Sequence, residues 1–92
     1  VSHRYFNYNG IDIIAGWDIT NQHYYLLVNY NEEVLFSNEH LICPQITLKD
    51  IMRYIKRFKI DPPGSFYFDL AMDEELNRDN VIKDYRENVP EK

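Results

Sequence analysis

The stretch from Ile11 to Asn38 constrains this chain most. It holds three apolar runs rich in β-branched and aromatic residues, separated by short polar breaks. Ile11, Ile13, Ala15 and Trp17 alternate with Asp12, Ile14, Gly16 and Asp18, the period of two that sends successive side chains to opposite faces of a sheet. From His23 to Asn29, Tyr24, Leu26 and Val28 fall on one side and Tyr25 and Leu27 on the other. A strand apolar on both faces is either central or has work for its second face. Val34 and Phe36 alternate with Leu35 and Ser37 in a shorter third run, after a Tyr30 to Glu33 break in which Asn31 suits a turn.

A first strand precedes these. Arg4 to Asn9 alternates Phe6 and Tyr8 with Tyr5 and Asn7, and Asn9-Gly10 then meets Ile11. Asn-Gly between alternating runs favours a type I′ hairpin, because both central residues tolerate positive φ. Strands near 4–9, 11–18, 23–29 and 34–37 therefore predict a four-stranded antiparallel meander, since short connections keep sequential strands adjacent. After an irregular crossing that contains His40, Cys43 and Pro44, Thr47 offers an N-cap with Asp50 in the capping-box position. Ile51, Tyr54, Ile55 and Phe58 then form one apolar stripe on a helix from about Leu48 to Phe58. Asp61-Pro62-Pro63-Gly64 stops it, and Ser65 can cap a second helix from about Phe66 to Asn77. The expected architecture is α+β, with both helices packed on one face of the meander through Ile51, Ile55 and Phe58. Val81, Ile82 and Tyr85 could add a last short element.

Ninety-two residues make a single domain. Residues 1–3 read as a vector remnant or processed end, 4–86 as the domain and 87–92 as a frayed end. No apolar run approaches the roughly 20 residues of a membrane span, and no leader pattern follows Val1. A cytoplasmic location is expected, in agreement with a single cysteine, Cys43. Charge is unevenly spread. Residues 1–46 hold one base and five acids, residues 47–60 five bases and one acid, and residues 61–92 four bases and nine acids, for a net charge of −5. The acidic remainder disfavours nucleic acid and anionic membranes, because like charges repel over a Debye length of about 8 Å.

The runs GWD at Gly16 to Asp18, YYLLV at Tyr24 to Val28, LFSN at Leu35 to Asn38 and KIDPP after a helix, with Asp79 and Asn80 beyond, together resemble a family of small uncharacterised bacterial proteins. Genes of that family often lie on plasmids and other mobile elements. The resemblance spans roughly residues 16–82, with Ile19 standing where an Arg-Pro pair is usual. It implies an accessory function and carries over no activity, catalytic residue or cofactor.

Candidate chemistry is sparse. His40 and Cys43 could give two zinc ligands, but a structural site wants four nitrogen or sulfur ligands, so no metal is expected. As a nucleophile and base the pair lacks an orienting group and an oxyanion site, and Cys43 reads as a small buried hydrophobe. Asp69 and Asp73 share a helix face at i, i+4. They could do acid–base work, bind a cation or contact a partner, against the plainer reading of a solvated face. Trp17 is either a contact residue or, more simply, core packed on the first helix. Lys49, Arg53, Lys56 and Arg57 could bind phosphates, or merely complement the helix C-terminus.

Eight tyrosines are a high load. Two short helices can cover one sheet face but hardly two, which would leave an exposed face carrying Tyr5, Tyr25 and Leu27, and tyrosine is enriched in interfaces. The expected function is therefore a non-catalytic protein-binding module with no cofactor. It would be an inhibitor or regulator from a mobile element, acting on a basic, nucleic-acid-handling host protein, as an anti-CRISPR or anti-restriction protein does, or closing on a second copy as a homodimer. The alternatives are nucleic-acid binding through the basic helix 48–59 and a small enzyme with an unrecognised site.

Overall fold

The computed structural model describes residues 1–85; the end expected to fray, 87–92, lies outside the described residues. The strands are β1 (His3–Tyr8), β2 (Ile11–Asp18), β3 (His23–Tyr30), β4 (Glu33–Ser37) and β5 (Ile82–Asp84). The helices are α1 (Leu48–Arg57) and α2 (Phe66–Glu75), and a single 3-10 turn covers Asn38–His40. The sheet order is β4-β3-β2-β1-β5. Strands β1 to β4 pair antiparallel in sequence order, but β5 joins β1 in parallel. The sheet is thus five-stranded and mixed, where a four-stranded antiparallel one was expected. The addition was hard to foresee because three residues hold too little periodicity to declare a strand.

Local chemistry accounts for most boundaries. Asn9 and Gly10 have φ of 51° and 86°, as a type I′ turn requires. Asn31 and Glu32 repeat this geometry at 51° and 64°. Thr47 Oγ1 accepts from the Asp50 N–H while Asp50 accepts from the Thr47 N–H, so α1 begins with a complete capping box. Helix α1 ends before the prolines, where Lys59 turns left-handed at φ 60°. Ser65 does not cap α2; its hydroxyl donates to the Asp69 side chain instead.

The register contains one irregularity. Val28 pairs with Phe36 but Asn29 with Val34, so Leu35 is an extra residue in β4. The bulge separates Val34 from Phe36, which simple alternation puts on one face. Phe36 packs on Tyr54 of α1 with ring centroids 4.4 Å apart, while Val34 is exposed.

Phe6, Ile13, Ala15, Trp17, Tyr24, Leu26 and Val28 point to the helices and are buried with Ile51 and Ile55 of α1 and Phe66 and Leu70 of α2. Helix α2 lies over β1 and β2, where Phe66 meets Phe6 edge-to-face at 4.9 Å. Trp17 is core and packs on Tyr24 at 5.0 Å. Its indole N–H is satisfied by Asn77 Oδ1 at 2.8 Å, just beyond α2.

One charge lies inside this layer. Arg4 follows the inward alternation of β1, and its Nε and Nη2 donate to the two oxygens of Asp73 at 2.7 and 2.8 Å. Both residues are buried. An ionised pair leaves water only when geometry and additional hydrogen bonds compensate, and here Tyr85 and Arg78 approach the same pair at 3.3 and 3.6 Å. Arg4→Met strands the Asp73 carboxylate and is expected to cost about 3–5 kcal/mol in urea unfolding. Combining it with Asp73→Leu should recover most of the loss, and a single-variant cost under about 1 kcal/mol would contradict a buried pair.

Candidate functional site

The pairing registers define the sheet face that no helix among the described residues covers. Its central row runs Asp84, Tyr5, Ile14, Leu27, Ser37 from edge to edge. One flank contains Ile82, His3, Gly16 and Tyr25, and the other Asn7, Asp12, Asn29 and Val34. Tyr5, Ile14 and Leu27 are half-buried, whereas Ile13, Leu26 and Val28 on the opposite face are fully buried. Along its central row the face is apolar in the middle and ends at Asp84 and Ser37, while its flanks mix Asp12 and Asn7 with the exposed apolar residues Ile82 and Val34.

Tyr25 sits on this face but does not project from it. Its ring lies across Gly16, where an added Cβ would come within 2.7 Å of Tyr25 Cε2 and 1.8 Å of the Ser2 carbonyl oxygen. The Tyr25 hydroxyl is 2.8 Å from that carbonyl oxygen and 2.6 Å from His3 Nδ1. Both contacts are satisfied when the hydroxyl donates to Ser2 and accepts from a protonated Nδ1. Burial, with the charges of Asp73 and Asp18, pushes this hydroxyl well above the usual tyrosine range. Tyr25 therefore ties β3 to the start of β1, and Tyr25→Ala is expected to cost stability as well as contact area. Ser2 is buried, and its hydroxyl accepts from the Trp17 N–H at 2.8 Å.

Two acids of α2, Asp69 and Asp73, depart from the expected solvated face, while Glu74 and Glu75 are exposed. Asp73 is fully buried against Arg4 and is unavailable to a partner. Asp69, one turn earlier on the same side, is largely buried as well. It accepts from Tyr85 and from Ser65 and lies 3.6 Å from Lys83 and 3.7 Å from Arg4. The i, i+4 spacing signalled a shared face, but that face turns inward because Arg4, the lone base of the first 46 residues, waits opposite it. An arginine in the inward phase of a strand and a carboxylate pair on one helix face were two halves of a signal that only the fold joins.

The remaining candidates stay apart. Lys49, Arg53, Lys56 and Arg57 are exposed along α1, with Arg53 paired to Asp50 and Arg57 over the Tyr54 ring at 5.6 Å. Cys43, expected to be buried, is exposed. The crossing that carries it is anchored by Asn38 instead, which accepts from the Leu26 N–H at 2.9 Å and donates to the Pro44 carbonyl at 2.7 Å. Among the described residues no group of three His, Cys, Asp or Glu is placed to hold a metal ion, and no helix is long and apolar enough to cross a membrane. No protein-family model, curated protein or solved structure matches the chain.

Burial alone would raise the Asp69 carboxyl, but hydrogen bonds from Tyr85 and Ser65 and the charges of Arg4 and Lys83 hold it below the usual carboxylate range. A depressed carboxyl contributes stability at neutral pH that is lost as pH falls through its lowered value. Asp69→Asn should therefore lower the thermal midpoint at pH 7, and the gap to wild type should close as pH drops below about 4. A gap that is constant from pH 7 to 2 would contradict this role.

Proposed function

We propose that this chain is a non-catalytic protein-binding module that meets a basic partner through the open face of its sheet. The observation that carries this reading is the row Tyr5, Ile14 and Leu27, apolar side chains at the middle of a face that no described element covers. Apolar surface grouped in this way marks interaction sites, and a rim that mixes carboxylates with the exposed Val34 and Ile82 extends the apolar surface to the edges of the face. Asp12 and Asp84 on that rim, with a net charge of −5, favour a partner of opposite sign. Proteins that handle nucleic acid have such surfaces, so inhibition of one of them, by a chain carried on a mobile element, is the narrower form of the proposal. A second copy closing on the same face is the homodimeric form.

Leu27 is the residue to test, because it lies at the centre of the face and β3 does not need its side chain for the buried core. Leu27→Asp should keep a cooperative thermal transition and lose about 2 kcal/mol of binding, roughly thirtyfold, toward whatever basic protein the tagged wild type retains from a bacterial lysate. Sedimentation of the wild type separates the homodimer from a foreign partner. Equal retention by Leu27→Asp and wild type would contradict use of this face. In a gel shift at about 0.15 M salt, where only close contacts survive screening, DNA and RNA should show no complex. Submicromolar binding there, lost in Lys49→Glu with Arg53→Glu, would move the function to α1.

A further inference from the structure

The helix layer has a groove that the open-face reading does not use. Met52 and Ile60 from α1 and its exit, and Pro62 and Tyr67 from the entry and first turn of α2, form a shallow apolar trough of about 370 Å³. Lys56 and Lys59 stand on its rim. The trough is built by the way α1 ends. Ile51 and Ile55 turn into the core, which leaves Met52 facing outward and 42% exposed. Lys59 then reverses the chain in the left-handed region, Ile60 is drawn inside, and Pro62 stiffens the opposite wall.

We infer that this groove docks an acidic protein segment through one large apolar side chain, with the flanking carboxylates held by Lys56 and Lys59. Three observations fix the occupant. The volume lies at the low end of ligand sites, which run from about 300 to 1,000 Å³, and the trough is open along one side, so it suits a side chain projecting from another surface better than a molecule that must be enclosed. The charge is complementary, since residues 47–60 carry five bases against one acid in a chain that is otherwise strongly acidic. The arginines of α1 are engaged by Asp50 and Tyr54 and line no part of the trough, so the charge next to the apolar floor is a pair of lysines with one opposing acid, Asp61. Two ammonium groups beside an apolar floor suit a short acidic stretch with an anchor. A phosphate backbone would gain nothing from the floor and would meet the acids of the rest of the chain.

This site is independent of the open sheet face, on the other side of the molecule, and the test keeps the two apart. Random twelve-residue peptides displayed on phage would be selected on the full chain and the enriched sequences synthesised. The enriched peptides should carry one Leu, Met, Phe or Trp flanked by Asp or Glu. Their affinity should fall at least tenfold in Lys56→Glu with Lys59→Glu and also in Met52→Ala, while Leu27→Asp should leave it unchanged. Both lysines are exposed, and a cooperative thermal transition in each variant would show that the loss is local. Peptides without acidic enrichment, binding indifferent to the lysine variants, or displacement by a 20-nucleotide single strand at equal concentration would each overturn the assignment.

Discussion

A buried guanidinium cannot be left alone in a low-dielectric interior, and that constraint organises this molecule. Arg4 points inward from β1, so the element packed above it must bring a carboxylate, and α2 brings Asp73 with both oxygens engaged. The bidentate geometry sets where α2 lies along the strands and how it is rotated. Asp69, one turn away, then reaches Tyr85 and Lys83, which draws β5 and the residue after it against β1. Fixing α2 in this way commits the helices to the face of Phe6, Ile13, Ala15 and Leu26, and no element among the described residues covers the face of Tyr5, Ile14 and Leu27.

The two sides of the sheet consequently obey different rules. On the covered side, large aromatic and branched residues reach complete burial, and the polar tips of Trp17 and Tyr24 find partners on or beside α2. The Tyr24 hydroxyl donates to the Leu70 carbonyl at 2.9 Å and also meets Glu74 at 3.0 Å, so a large ring is buried without an orphaned donor. On the open side, residues of similar type are only half-buried, and Tyr25 lies flat across Gly16 in place of a covering helix. A face that is partly self-covered in this way limits its exposed apolar area while keeping an apolar centre for contact.

Much of the fold is legible in the sequence, because it rests on local signals. The Asn-Gly turn, the alternation in β2 and β3, the Thr47–Asp50 capping box and the stripe of Ile51 and Ile55 are each set by residues near one another in the chain. What escapes local reading depends on long-range partners. The three residues of β5 form a strand only because β1 offers a free edge. Asp73 looks like a surface acid until Arg4, 69 positions away, is placed opposite it. Tyr25 has the alternation of a projecting side chain, and only the approach of Ser2 to Gly16 reveals that it is laid along the sheet. The strands that carry the open face were thus legible, but two residues expected at a partner contact, Trp17 and Asp73, are buried.

One face of the sheet is sealed by the helices, and the other is left open by every described element. Paramagnetic relaxation of methyl groups by a soluble nitroxide, recorded by NMR on dilute monomeric protein, tests this asymmetry most directly, because Ile13 and Ile14, like Leu26 and Leu27, are sequence neighbours on opposite faces. Strong relaxation of the Ile14 and Leu27 methyls is expected, with little of those of Ile13 and Leu26. Equal protection of both sets would contradict it, since the second face would then be closed from within.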